Sequence, residues 1–365
     1  MSKWKMVKIK DVCEKASSNI AQKDICENDG EYPIYGASGF IKTIDFYVQE
    51  DEYIGIVKDG AGVGRVMVLP LKSSVTGTIQ YIIPNEKVIV RYLANILTNL
   101  DLGKLSSGAT IPHIYFKNYE NIEIPLPPIE EQKRIANILD KASNLIDLRK
   151  QQLEKMDMLV KSKFIDMFGD PVTNPKGWEG KKIEDIAEVK IGPFGSLLHL
   201  EDYVENGHPL INPSHILNES ITYDSKKTIT DEKYKEMKPY HLQINDIVLG
   251  RRGEIGRCAI VKQNGFMCGT GSLLIRIKNN CLPIIMQKII SHPSFKEFLK
   301  DKSVGVTMDN LNAGTISNLK IFLPPIELQN QFAEFVEQVE KQKAVMQQSL
   351  EKMEMNYKAL MQEYF

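Results

Sequence analysis

The sequence lacks three features, and each absence excludes a class of protein. It has no run of about 18 apolar residues, as a membrane-spanning helix requires, and the Lys-rich start Met1–Lys10 has no apolar core like that of a signal peptide. Its five cysteines are odd in number and show no Cys-x-x-Cys spacing, so neither disulfides nor a zinc site is predicted. The net charge is −1, which by itself predicts no polyanionic partner. These absences together indicate a cytoplasmic protein with reduced thiols.

What the sequence does contain is a tandem repeat. Leu126–Glu130 (Leu-Pro-Pro-Ile-Glu) returns as Leu323–Glu327, a shift of 197 residues, and a Leu-Glu-Lys-Met tetrapeptide recurs downstream at the same shift. Upstream, Gly64-Arg65 recurs as Gly256-Arg257 at a shift of 192, so the second copy carries a short insertion. The repeat therefore predicts two similar domains, and the chain is long enough to give each a core of its own.

A long amphipathic helix is predicted after each Pro-Pro motif. From Glu130 onward apolar residues recur at helical spacing, and no Gly or Pro intervenes before Gly169. The second stretch runs from Glu327 to Phe365 and has its apolar residues at matching positions. Since neither helix is apolar all round, each needs a partner for its stripe. We expect the two stripes to pack as an antiparallel coiled coil.

Short β-branched runs punctuated by Gly, Asn and Pro predict a twisted mixed sheet in each globular part. Val88–Leu100 and Pro283–Phe298 are each predicted as a helix that follows the sheet. A polar, Gly-containing loop then closes each globe, at Ser106–Pro112 and Ser303–Thr315. The predicted fold is α+β with a pseudo-two-fold repeat. Its predicted parts are a first globe (1–125), a first long helix (126–170), a second globe (171–322) and a second long helix (323–365).

Two segments resemble the specificity subunit of type I restriction-modification enzymes. They are Ser106–Pro112 and Ile124–Ile135, whose Pro-Leu-Pro-Pro-x-x-Glu-Gln opens the first long helix. The resemblance covers both copies, although the second has Glu327-Leu328-Gln329 where the first has Glu130-Glu131-Gln132. It implies a non-catalytic DNA reader in which each globe is a target recognition domain for half of a bipartite site. The paired helices would fix the gap between two half-sites about one helical turn apart.

The resemblance also implies partners. Two methyltransferase subunits, which use S-adenosylmethionine, would dock on the helices, and restriction subunits, which use ATP and Mg, would join them, so no cofactor is expected in this chain. The predicted docking positions are Ile135, Leu139, Leu153, Met156, Phe332, Val336, Leu350 and Met353. The alternative is a DNA-binding module of another phage-defence or regulatory complex without its own methyltransferase. An enzyme acting alone would need catalytic residues that the sequence does not offer.

Candidate DNA-contacting residues come from segments that match between the copies. Arg can hold guanine bidentately, Asn and Gln can hold adenine, and Ser, Thr and Lys can contact the backbone. In the first globe the candidates are Lys42, Lys58, Arg65, Lys72, Ser106, Ser107 and Thr110. In the second they are Arg251, Arg252, Arg257, Lys262, Thr307, Asn310 and Asn312. Adjacent guanidinium groups such as Arg251 and Arg252 are costly to bury, which favours presentation to DNA over a structural pair capped by carboxylates.

Other motifs are interpreted as non-catalytic. Lys58–Gly64 is Gly-rich, but no helix pattern follows it, so a tight turn between strands is favoured over a phosphate-binding loop. Asn212–His215 (Asn-Pro-Ser-His) lacks the aromatic residue that an adenine methyltransferase needs to stack a flipped base. The six histidines do not cluster at metal-ligand spacing, and His113 and His215 are as compatible with solvent exposure as with DNA contact.

Overall fold

The structure is a computed structural model that describes residues 4–108, 111–226, 228–302 and 311–365. These residues form two compact units. Unit 1 comprises residues 1–151 and 346–365, and unit 2 comprises residues 152–345. The division falls inside the two long helices, so each helix contributes one half to each unit.

Unit 1 is built on a four-stranded antiparallel sheet. The strands of unit 1 are β1 (Lys5–Lys8), β2 (Cys13–Ser17), β3 (Tyr32–Gly36), β4 (Gly39–Ile44), β5 (Tyr53–Val57), β6 (Val66–Leu69), β7 (Ser74–Val75), β8 (Ile79–Pro84) and β9 (Glu123–Leu126). The main sheet has the order β2-β8-β5-β6, and a smaller sheet has the order β4-β3-β7 with β3 and β7 parallel. Helix α1 (Val90–Asn99) follows the sheet, and α2 (Ile129–Phe168) begins shortly after β9.

Unit 2 repeats this plan. Its strands are β10 (Glu179–Lys182), β11 (Ala187–Ile191), β12 (Tyr203–Val204), β13 (His208–Ile211), β14 (Ile216–Leu217), β15 (Ser220–Ile221), β16 (Thr228–Ile229), β17 (Ile247–Gly250), β18 (Cys258–Ile260), β19 (Met267–Cys268), β20 (Ser272–Ile277) and β21 (Lys320–Leu323). Its helices are α3 (Ile183–Ile186), α4 (Asp231–Glu236), α5 (Pro283–Ser291), α6 (Pro293–Lys302), α7 (Ala313–Ser317) and α8 (Ile326–Tyr364). The main sheet, β11-β20-β17-β18, is again antiparallel, and β13 pairs with β19 in parallel. The α+β prediction with mixed sheets is confirmed.

Within each unit the halves of α2 and α8 run antiparallel. In unit 1, Lys150 forms an ion pair with Glu354 (2.9 Å), and Arg134 lies over the ring of Tyr364 (5.7 Å from the centroid). In unit 2, Phe164 packs edge-to-face on Phe332, with ring centroids 5.6 Å apart, and further along the same helices Asp157 pairs with Lys343. In unit 1 the first half of α2 therefore lies against the second half of α8, and in unit 2 the second half of α2 lies against the first half of α8. Among the described residues, no helix has the length and apolar character that crossing a membrane requires.

A buried glutamine ties each long helix to the globe that precedes it. The Gln132 side chain donates to the carbonyl oxygens of Lys87 and Pro127 (both 2.9 Å) and accepts from Ile89 N–H (3.0 Å), at the start of α1. Gln329 makes the same three bonds at the start of α5. Three satisfied bonds explain why this buried amide keeps its place in both copies while its neighbours differ.

One predicted helix is wrong in its extent. The segment predicted as a single helix from Pro283 to Phe298 is two helices, α5 and α6, separated at His292, whose backbone is extended. Proline at position 293 lacks the N–H that would continue α5, and it disfavours a helical conformation in the residue before it.

Candidate nucleic-acid interface

In unit 1 several loops meet at the ends of β3 and β5. We call this group, residues 36–40, 58–65, 106–108 and 111–113, the first loop cluster. Lys58 N–H donates to the carbonyl of Thr78 (3.1 Å), and its own carbonyl accepts from Ile114 N–H (2.9 Å). His113 Nδ1 lies 2.7 Å from Asp59 Oδ1, which joins the turn after β5 to the loop that ends at His113. Polar side chains from separate segments are thereby gathered in one place.

Unit 2 holds its loops in the same way. The second loop cluster consists of residues 212–215, 251–257, 269–271 and 311–312. Arg251 N–H donates to the carbonyl of Gly271 (3.0 Å), and its carbonyl accepts from Leu311 N–H (3.0 Å). This pattern makes Arg251 the structural equivalent of Lys58, so the two units present different cations from one main-chain position.

The repeated Gly-Arg dipeptide has a common geometry. Arg65 Nη1 donates to the carbonyl of Ala37 (3.1 Å), just beyond β3, and Arg257 Nη1 donates to the carbonyl of Pro213 (3.3 Å), just beyond β13. Arg257 also forms a short ion pair with Glu254. Both arginines therefore hold a neighbouring turn through its backbone, a contact that sequence comparison could not reveal.

Arg251 has an unusual environment for a cation. It is only 8% exposed, and its Nε has no hydrogen-bond partner within the described part of the chain. Burial and the nearby charge of Arg252 lower the pKa of Arg251. Arg252 is exposed. The prediction that both guanidinium groups are openly presented thus fits Arg252 and does not fit Arg251.

The structure brings together part of the candidate set of the first globe. Lys58, Arg65, Ser106 and Ser107 lie in the first loop cluster, although the Ser106 hydroxyl donates to its own turn, at Gly103 (2.7 Å). Two candidates lie outside it and face carboxylates. Lys42 on β4 pairs with Asp29 (2.7 Å), and Lys72 pairs weakly with Glu50 (3.9 Å). Thr110 lies outside the described residues.

The candidates of the second globe divide similarly. Arg251, Arg252, Arg257 and Asn312 lie in the second loop cluster. Asn312 is the N-cap of α7, and its side chain accepts from Thr315 N–H (2.7 Å), so the end of the predicted loop 303–315 is helical. Lys262 is exposed on the connection between β18 and β19, away from these contacts. Thr307 and Asn310 lie outside the described residues.

Sequence reasoning missed the turn between β3 and β4. Ser38 in this turn and Phe40 at the start of β4 are exposed, close to the Ala37 carbonyl that Arg65 holds. The pair Gly36 and Gly39, which bounds this turn, was the available signal, since such spacing between β-rich runs predicts a hairpin. In unit 2 the equivalent segment is a 3₁₀ turn, Pro213–His215, which exposes Ser214.

Two further motifs of the sequence have identifiable positions and contacts in the structure. The segment 58–65 is a turn between β5 and β6. Asn212 Oδ1 accepts from Gly271 N–H (3.3 Å), and His215 Nδ1 faces the carbonyl of Leu210 (3.0 Å), so both side chains hold main chain. In the described ranges, no group of three or more His, Cys, Asp or Glu side chains is arranged to hold a metal ion.

The predicted docking positions need correction. Five of the eight, Ile135, Leu139, Phe332, Val336 and Leu350, are buried, and the other three, Leu153, Met156 and Met353, are half-buried. Ile135 and Leu139 belong to the core of unit 1, and Phe332 and Val336 belong to the core of unit 2, so these four offer little surface to a partner. Amphipathic periodicity located the inner stripe correctly, but it did not distinguish packing within the chain from packing against another subunit.

The chain is similar to known proteins along nearly its whole length. The model of the family described as "Type I restriction modification DNA specificity domain" matches residues 1–157 and 175–355, one match for each copy. The chain is 22% identical to the MjaVIII specificity subunit of Methanocaldococcus jannaschii, over 98% of this chain and 91% of that protein. It is 23% identical to the EcoBI specificity subunit of Escherichia coli, over 64% and 55%. The S subunit structure from M. genitalium shares the fold, with a TM-score of 0.59 at 15% identity over 99% and 96% of the two chains.

Proposed function

Since the chain belongs to the family of type I restriction-modification DNA specificity subunits, we propose that each of its units reads one half of a bipartite DNA site. The observation that carries this proposal is the duplicated loop cluster. Lys58 and Arg251 occupy equivalent main-chain positions, and equivalent arginines hold the adjacent turn in each unit. Two loop clusters with similar main-chain contacts and different side chains suit an asymmetric site made of two different half-sites.

The proposed role of the long helices is to set the half-site spacing. Each helix is continuous for about eleven turns at 3.6 residues per turn, and each contributes to both units. Because a packed helix pair is stiff, its length would fix how far apart two readers engage one duplex. Shortening α2 and α8 together by two turns should change the preferred gap, and an unchanged gap would reject this role.

We propose that two methyltransferase subunits dock through repeat-related exposed residues, in place of the buried positions predicted from the sequence. Leu148 and Val345 are equivalent positions in the repeat and both are exposed, as are Met158 and Met355. Unit 1 thus exposes Leu148 and Met355, and unit 2 exposes Met158 and Val345. Because each unit exposes apolar side chains at repeat-related positions, the two units can bind two copies of one partner. Val345→Ser should weaken binding of one methyltransferase copy and leave the other bound.

In this proposal the chain is a non-catalytic subunit that needs no cofactor. S-adenosylmethionine would be bound by the methyltransferase subunits, and ATP and Mg by the restriction subunits, all acting on DNA in the cytoplasm. The alternative of a DNA-binding module without a methyltransferase is not favoured, because the similar proteins are specificity subunits of type I enzymes.

The decisive experiment maps adenine methylation across the genome in cells that carry the complete system, with and without this chain. We expect one interrupted, two-part motif to lose methylation when the chain is absent. A second arm of the experiment uses a chain in which Arg252→Ala alters the second loop cluster only. It should change recognition of one half of the motif and leave the other half intact. Equal loss of both halves would contradict the assignment of one half-site to each unit.

A further inference from the structure

The β3–β4 hairpin exposes a large apolar side chain, that of Phe40 at the start of β4. Phe40 is 60% exposed, and its ring meets Tyr35 edge-to-face with centroids 6.0 Å apart. Gly39, just before it, has φ +113°, and no atom lies within 4 Å of the position that a Cβ would take. A single exposed apolar residue is common on protein surfaces. The informative observation is therefore where this turn lies and what holds it.

The turn is fixed to the first loop cluster by Arg65. The Arg65 guanidinium donates to Ala37 (3.1 Å), and the Arg65 carbonyl accepts from Val57 N–H at the end of β5 (3.0 Å). Unit 2 has the same pair of contacts, in which Arg257 donates to Pro213 and accepts from Gly250 N–H (2.8 Å). The turns themselves differ in sequence. The arginine recurs in both units although the sequence of the turn does not. It therefore contacts the turn through the backbone, and its rigid planar donors suit that task.

Resting on the proposed function, we propose that the β3–β4 turn, together with Phe40 at the start of β4, is a DNA-contacting element of unit 1. Phe40 stacks on a base or inserts at a base step of its half-site, and Arg65 is a positioning residue that holds the turn. Aromatic side chains stack on bases of any sequence, and apolar wedges enter between base steps. Lys58 and Ser107, in the same cluster, supply groups suited to phosphates. Ser38, exposed beside Phe40, adds a hydroxyl that can form a hydrogen bond with a phosphate or with a base edge.

Unit 2 exposes no aromatic side chain at the equivalent place, and the residue that it exposes just after its turn is the aliphatic Leu217 on β14 (48% exposed). The 3₁₀ turn Pro213–His215 and the preceding Asn212 contain no apolar aromatic residue, and the side chain that they expose is that of Ser214. The stacking contact is thus assigned to one half-site only. This asymmetry gives the proposal an internal control, because the half-site read by unit 2 should not respond to changes at Phe40.

The first test compares Phe40→Ala with Leu71→Ala in the complete complex with its methyltransferase subunits. Leu71 is a matched control, since it is 57% exposed in unit 1 and lies beside Lys72, outside the first loop cluster. Because alanine removes the stacking contact on a base, Phe40→Ala should slow methylation of the bipartite site by about tenfold, which corresponds to about 1.4 kcal/mol. Leu71→Ala should stay within about twofold. A Phe40→Ala complex that methylates at the control rate would overturn the proposal.

The second test is a double-mutant cycle of Arg65→Ala and Phe40→Ala. If Arg65 acts through the turn, Phe40→Ala should add less than about a twofold loss in the Arg65→Ala background, and the methylated motif should stay the same. If Arg65 reads a base itself, the two losses should multiply, and specificity should relax at one position. Thermal unfolding of each variant checks that the fold is kept.

The outcomes separate this inference from the proposed function. A wild-type complex that methylates no motif dependent on this chain would remove the proposed function. A wild-type complex with a clear two-part motif, whose rate is unaffected by Phe40→Ala, would leave that function standing and remove only the assignment of the turn.

Discussion

Units 1 and 2 are most alike where side chains hold main chain and least alike where side chains face solvent. Gln132 and Gln329 make the same three bonds, and Arg65 and Arg257 hold equivalent turns. The held segments differ, by contrast: in unit 1 it is a hairpin turn followed by the exposed Phe40 on β4, and in unit 2 it is a short polar 3₁₀ turn. The two copies thus share the side-chain contacts that position the loops, whereas the exposed residues on those loops differ.

The comparison also shows that equivalent backbone positions can place their side chains in different environments. Lys58 is half-buried next to Asp59, whose carboxylate contacts His113. Its equivalent, Arg251, is buried with an unpaired Nε in the described part of the chain. A shared frame therefore does not guarantee shared chemistry, and the predictions below ask how far the equivalence extends.

The largest effect should come from the inner stripe of the helices. Phe332 packs on Phe164 and Phe168 in unit 2, and its repeat equivalent in unit 1 is Ile135. Phe332→Ala should lower the free energy of unfolding of the isolated chain by about 3–5 kcal/mol, because it leaves a cavity. Ile135→Ala should cost about 2–5 kcal/mol for the same reason.

Denaturant unfolding of the isolated chain measures both losses. Val345→Ala, at a position 68% exposed on α8, is the control and should change stability by less than about 0.5 kcal/mol. Unchanged stability in Phe332→Ala would restore the idea that the inner stripe serves partner subunits.

The next effect concerns the buried glutamines. Gln132→Ala leaves Ile89 N–H and the carbonyls of Lys87 and Pro127 without this partner, and each buried unsatisfied group costs about 1–3 kcal/mol. We expect a loss of about 3 kcal/mol from Gln132→Ala and a similar loss from Gln329→Ala. Gln347→Ala, on an exposed part of α8, is the control. Calorimetric unfolding that shows a loss in one unit only would break the equivalence of the two frames.

A third prediction sharpens a difference between the repeated glycines. Gly64 (φ +82°) and Gly256 (φ +80°) both adopt the left-handed region, so alanine costs about 1–2 kcal/mol at either position. A Cβ on Gly64 would also lie 2.2 Å from the backbone nitrogen of Gly103, whereas on Gly256 it would meet the flexible side chain of Lys296 (2.5 Å). Gly64→Ala should therefore destabilise more than Gly256→Ala in urea titrations. The reverse order would show that the loop at Gly103 yields easily.

The smallest effect is a pH dependence confined to unit 2. Burial alone would raise the pKa of Glu219, but the charge and hydrogen bond of Lys288, together with a hydrogen bond from Ser291 and the charge of Lys161, outweigh it, so the pKa lies below its ordinary value. A lowered pKa in the folded state means that the ionised group stabilises the fold above its unfolded pKa of about 4.3, and that this contribution is lost as the pH falls through the folded pKa. The stability gap between wild type and Glu219→Gln should be present at neutral pH and narrow on acidification. A gap independent of pH would contradict this assignment.

Local signals in the sequence were sufficient for much of the fold. The long helices begin and end within a residue or two of the predicted positions, because apolar periodicity and the absence of Gly and Pro act within one helix. The turn at 58–65 followed from its glycines. The break at Pro293 was also present as a local signal, and the prediction failed because the apolar periodicity continued across it.

The candidate site depended on contacts between distant residues. Arg65 lies 28 residues from the carbonyl that it holds, and Arg257 lies 44 residues from its own. No periodicity or spacing encodes such a pair, so both arginines looked like free donors for DNA. The same limit applies to the docking stripe, where burial was decided by the neighbouring helix.

The sequence by itself determined the duplication, the positions of the two long helices and the family, because these depend on residue patterns read along the chain. Only the tertiary structure decided which side chains hold loops, which fill the two cores and which, like Phe40, remain exposed. The physical reason is that a side chain's partner is set by chain segments brought together on folding, and hydrogen bonds and burial form with whichever group lies within reach.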